Sequence, residues 1–214
     1  MSIRRELLVT ILIGLFSFIT FWFSGKFLHI FLIWNMMLAI IPIFILKFEE
    51  KTNRKWLKIL AVLVWILFLP NAFYTVTDLI HIQNLKFYFF ENPYAEATYI
   101  EDISNWMEII NLFLISTFGF FAGLINVDRF IKRFEYKWQK IMAISILSIL
   151  SGIAIYIGRF LRFNSWNVLN PFEMIKTILT SLNSFYVVYI ILFSVFIFIS
   201  CTIFSLTKSG INKK

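Results

Sequence analysis

The stretch LPNAFYTVTDLIH, residues 69–81, sets an amide, a phenol, hydroxyls, a carboxylate and an imidazole at the end of an apolar run, WLKILAVLVWILF. A helix continued through it at ~100° per residue gathers Asn71, Tyr74, Thr75, Asp78 and His81 within an arc of about 120°. Phe73, Val76 and Ile80 fall opposite. Asp78 and His81, at i and i+3, can hydrogen-bond along one face, and such a pair is a candidate general base. A second stretch, GRFLRFNSW at residues 158–166, also closes an apolar run. Continued helix would put Arg159, Arg162 and Trp166 on one face with Tyr156 just below, and two arginines so placed make a fork for a phosphate or carboxylate.

The elements carrying these residues are read from composition. Of 214 residues, 60% are hydrophobic and 20% aromatic, with only 15% charged. So few charges cannot cover a soluble domain of this size, so the surplus apolar surface faces lipid. Runs of spanning length lie at about residues 7–24, 27–46, 59–77, 107–126, 141–158 and 184–206. The expected fold is all-α, a polytopic six-helix transmembrane bundle forming a single domain over residues 1–214. The net charge of +8 could suggest nucleic acid. Fifteen of the twenty basic residues, however, fall before span one, between spans two and three, between four and five, or after six. That asymmetry is a topology signal: both termini are expected in the cytoplasm, and nucleic acid is not an expected partner. The first span reads as uncleaved, since its apolar stretch is long and no A-x-A-like site follows. Cys201 is the only cysteine, so no intrachain disulfide can form.

The two polar stretches then share one depth, near the outer interface. Ionisable groups there should turn inward and pair, and Asp78 with Arg159 or Arg162 is the simplest pairing. Glu108, at the outer start of span four, is placed to join them as a ligand-binding residue. Asn35 is deeper in span two and is expected on a backbone carbonyl freed by a proline kink. His29, beside Lys26 at a short turn, reads as an interfacial residue. Gly119 and Gly123 in span four are expected to pack inside the monomer.

Three readings compete for the cluster: a structural interhelical clamp, an outward pocket for an anionic group such as a lipid headgroup, and a small proton-coupled transport path. In the pocket, Arg159 and Arg162 neutralise the anion, Asp78 orients His81, His81 exchanges a proton, and Asn71 and Tyr74 add neutral hydrogen bonds. Trp166 is the interfacial anchor. Whether turnover follows binding stays open. Metal is disfavoured for want of N and S donors, and no cofactor is expected. Membrane lipids are the expected partners, with an anionic lipid or lipid-linked ligand and a protein partner of unassigned kind both left open. The outer segments at 83–106 and 159–183 read as loops, the first a lid or a bystander.

Together WNMMLAIIP (34–42), LPNAFYTVTDLIH and GRFLRFNSW resemble the three signature stretches of the bacterial membrane-protein family catalogued as domain of unknown function 1361. The resemblance covers nearly the whole chain. It implies that Asn35, Asn71, Tyr74, Asp78, His81, Arg159, Arg162, Asn164 and Trp166 match the family's polar pattern. Phe73 departs from it, where the family has Pro, and Glu108 stands near an expected Asp. The resemblance further implies a multi-pass protein of the bacterial cytoplasmic membrane, and it brings no activity.

Overall fold

The computed structural model describes residues 3–163 and 170–211, so Asn164 and Trp166 lie outside the described residues. Seven α-helices run in order among them: α1 (Ile3–Ser24), α2 (Leu28–Lys51), α3 (Lys55–Tyr74), α4 (Ile103–Ile131), α5 (Lys137–Phe160), α6 (Pro171–Ser181) and α7 (Ser184–Ile211). A 3₁₀ helix (Thr75–Asn84) prolongs α3 directly, and a short hairpin pairs β1 (Tyr88–Phe89) with β2 (Thr98–Tyr99). All of these helices except α6 are long and apolar enough to cross a membrane, α3 doing so together with its 3₁₀ extension. With no water in hydrocarbon to bond the backbone, an unbroken helix is the one open-ended segment that satisfies its own N–H and C=O groups. The six long helices fall where the sequence puts them, and bring the start of α1 and the end of α7 to one end of the bundle.

α4 is central. It packs on α1, α2, α3 and α7 and on the 3₁₀ helix, while α5 packs mainly on α7 and on α3. α2 and α5 both lie against α3 without packing closely on each other, and the gap between them matters below. The core is apolar and aromatic, with Trp65, Phe73, Leu69, Ile131 and Ile155 fully enclosed. A second cluster around Leu32, Met36, Leu112 and Ile115 joins α2 to α4.

Close approach is bought at two glycines of α4. A Cβ added at Gly123 would stand 2.7 Å from the Phe73 ring, and one at Gly119 would collide with the Thr75 side chain. Both contacts are within the chain, as expected from the GxxxG spacing. Beside Gly119, Ser116 Oγ donates to the Thr75 carbonyl at 2.8 Å, and the Thr75 hydroxyl shares its proton between the Ala72 carbonyl at 2.8 Å and the Ser116 carbonyl at 3.3 Å. This reciprocal pair fixes where the 3₁₀ helix starts against α4.

The end carrying the termini is less simply basic than its composition suggests. Lys47 bonds Glu6 at 2.7 Å, Arg133 bonds Glu49 at 2.6 Å, and Lys132 and Lys208 both reach the buried Asp128 at 2.8 Å. Much of the charge there ties α1 to α2, α2 to the start of the α4–α5 turn, and α7 to α4.

Candidate functional site

At the opposite end, α3 does not continue as an α-helix through the polar stretch. It gives way to 3₁₀ geometry at Thr75, and Thr75 Oγ1 and Thr77 Oγ1 each bond the carbonyl three residues back, at 2.8 and 2.6 Å. The face therefore changes from the α-helical expectation. With about three residues per turn, Thr75, Asp78 and His81 stack along one row. Thr75 is spent on α4, as above. Thr77, which an α-helical wheel sets apart from the polar stripe, becomes part of the site.

Asp78 is 1% exposed, and both of its oxygens are occupied. Asn35 Nδ2 donates to Oδ2 at 2.9 Å from α2, and Arg159 Nη2 donates to Oδ1 at 2.7 Å from α5. Asn35 thus bonds a carboxylate instead of a proline-freed carbonyl. A carboxylate this deep needs a counter-charge and a further donor, and one comes from each flanking helix. Arg159 is also held by Thr77, which accepts from Nε at 3.1 Å and from Nη2. Its guanidinium lies 4.7 Å from the centre of the Tyr74 ring. Gly158 permits that arrangement, since a Cβ there would come within 3.3 Å of the ring. Among the described residues His81 makes no hydrogen bond to Asp78, whose two oxygens go to Asn35 and Arg159.

Beside this clamp the gap between α2 and α5 opens into a cavity of about 810 Å³. Asn35, Asn71, Tyr74, His81, Arg159 and Arg162 all reach its wall, and Met174 of α6 lines it too. The structure so brings together six of the residues singled out from the sequence. Arg162 is not on a continued helix with Arg159. α5 ends at Phe160, and Arg162 sits at φ +58°, the left-handed region, as the Phe163 N–H returns to the Ile157 carbonyl at 3.4 Å. Among the described residues no carboxylate pairs with Arg162, and no hydrogen bond engages His81. Asn71 Nδ2 donates to the Phe68 carbonyl at 3.0 Å.

Glu108 belongs elsewhere. It bonds Lys26 at 2.8 Å, and lies 3.5 Å from His29 Nε2, while His29 Nδ1 meets Asn111 Nδ2 at 2.9 Å and Ser17 donates to Asn111 Oδ1 at 2.7 Å. His29 is therefore fully buried, not interfacial. This second polar cluster joins α1, α2 and α4. The sequence places Glu108 at the right depth but cannot say which helices are its neighbours. No residue of 83–106 lines the cavity; the segment that does is α6, whose Pro at its first turn and apolar Phe172, Ile175 and Leu179 at i, i+3 and i+7 were the signal for a helix in the loop read at 159–183.

A family model described as a protein of unknown function, DUF1361, matches residues 34–200. The chain belongs to that family. The match runs from within α2 to within α7, and contains the clamp of this DUF1361 protein and all of its cavity lining but Phe27, Leu28 and Phe31. No curated protein and no solved structure matched the chain. The family description carries no activity, and the functional reading rests on geometry.

Proposed function

We propose that this protein recognises an anionic group, phosphate or carboxylate, in the cavity between α2 and α5. The observation that carries the reading is Arg162: a guanidinium on the cavity wall, with no carboxylate partner among the described residues, on a left-handed backbone. A non-glycine residue costs about 1 kcal/mol in that conformation, and glycine makes the same reversal freely. Backbone strain of this kind points to a side chain with work to do. Arg159, fixed by Asp78 and Thr77, adds positive potential without freedom to move. His81 stands on the same wall as a hydrogen-bonding group. The distribution of basic residues supports an orientation with this end outside the cytoplasm, and the family resemblance supports the bacterial cytoplasmic membrane.

The test is thermal stabilisation of the detergent-solubilised protein by dioleoyl phosphatidic acid against dioleoyl phosphatidylcholine. The anionic lipid should raise the melting temperature of the wild type and not of Arg162→Ala, and the difference should shrink with added salt. Equal stabilisation of both proteins by phosphatidic acid would remove the reading.

A second reading, the structural clamp, is favoured by a specific observation of its own: Asp78 takes bonds from α2 and α5 at once. The two are compatible, because the clamp is what holds Arg159 at the cavity wall.

A further inference from the structure

The shape of the cavity goes beyond what an anion alone requires. Its α2 wall runs from Phe27, just before the helix, to Leu38, eleven steps or about 16 Å of helix rise. That reaches from the end of the span to roughly the middle of a ~30 Å hydrocarbon core. The polar groups are gathered toward the outer part: Arg162 and His81 outermost along their segments, Arg159 and Tyr74 further in, Asn35 at the level of the Asp78 it bonds, and Asn71 innermost on α3. About one turn inward of Asn35, Asn71 and Arg159 on their own helices, the wall is Leu38 of α2, Leu67 of α3, and Ala154 and Ile155 of α5, with no polar side chain. A free phosphate or carboxylate would fill the top and leave this lower half without an occupant, and an apolar slot gains its contacts only from another apolar group.

The side of the slot faces the bilayer. Phe27, Phe31 and Trp34, at i, i+4 and i+7 on α2, both line the cavity and are 71%, 48% and 52% exposed. They form the lip of the gap that arises because α2 and α5 do not pack on each other. A ligand can enter along that gap without its chain ever crossing water, and the guanidinium at the mouth meets the head at the level where lipid headgroups lie.

Resting on the anion-recognition reading, we infer that the ligand is an anionic amphiphile taken laterally from the membrane, its phosphate or carboxylate at Arg162 and Arg159 and its hydrocarbon chain in the slot above Leu38 and Leu67. The head and the chain are thereby read by different residues. Arg162 selects charge, and the width of the lower slot selects the chain.

Three probes separate these parts in the intact, detergent-solubilised protein: glycerol phosphate, hexadecyl phosphate and palmitate, each by equilibrium binding. The chain is already out of water in a micelle, so packing alone adds to affinity, and we expect at least one of the two chain-bearing probes to bind about tenfold or more tightly than glycerol phosphate. Which of them does so tells whether the head is a phosphate or a carboxylate. Leu67→Trp, which fills the lower half from α3, should abolish that preference and leave glycerol phosphate binding unchanged. Ala154→Phe closes the same space from α5, and serves if the first variant fails to fold. Equal binding of all three probes, unaffected by either filling variant, would overturn the amphiphile while leaving anion recognition in place. Binding that is indifferent to Arg162→Ala, or absent for every probe, would overturn both.

Discussion

At the scale of single residues, the two arginines do different work, and substitution should separate them. Arg159 is half of a buried pair, so Asp78→Ala strands its guanidinium among apolar helices. The expected loss is about 3 kcal/mol or more, read as a lower melting temperature in detergent. Thr77→Val removes one acceptor from the same guanidinium and should cost about 1 kcal/mol. Arg162→Gly should behave in the opposite sense. It relaxes the left-handed backbone, so stability should hold or rise by up to about 1 kcal/mol, while anion binding is lost. A destabilised Arg162→Gly would mean that this side chain, too, is structural. The pairing of Asp78 with an arginine was legible in the sequence because both had to turn inward at the same depth. The Asn35 and Thr77 contacts were not, since they depend on which face of each helix meets the other. The same ignorance of neighbours is what set Glu108 beside His81, when it stands with Lys26 and His29.

At the scale of elements, the site depends on the change from α to 3₁₀ helix at Thr75. A wheel at ~100° per residue gives the right residues for the wrong reason: Asn71 and Tyr74 come from the last α turn, Asp78 and His81 from the 3₁₀ row. The change is held by Ser116 and by the space at Gly119. Gly119→Val should therefore push Thr75 off α4, at a cost of about 1–3 kcal/mol from overpacking. Because the 3₁₀ helix carries Asp78, phosphatidic acid should lose its stabilising effect in the same variant. A Gly119→Val protein that melts lower yet still responds to phosphatidic acid would show that the α4 contact does not set the site. The spans were legible because each is a long unbroken apolar run, and α6 was not, because eleven residues with one apolar stripe look like loop beside spans of twenty or more.

At the scale of the whole molecule, a bundle with a polar cavity toward one end makes orientation decisive. Cys201 is buried and is the only cysteine, so a Cys201→Ser background allows single reporters. Tyr94→Cys, in the fully exposed turn of the hairpin, should react with an impermeant maleimide in intact cells; Lys51→Cys should react only after permeabilisation. The reverse pattern would turn the cavity toward the cytoplasm and contradict the basic-residue argument. The central claim, that the gap between α2 and α5 holds an anionic membrane ligand through Arg162, is best put to native mass spectrometry of the protein drawn from its own membrane. Wild type and Arg162→Gly are compared at matched melting temperature. The account predicts an anionic lipid retained by the first and missing from the second, and an identical set of retained lipids on both would contradict it.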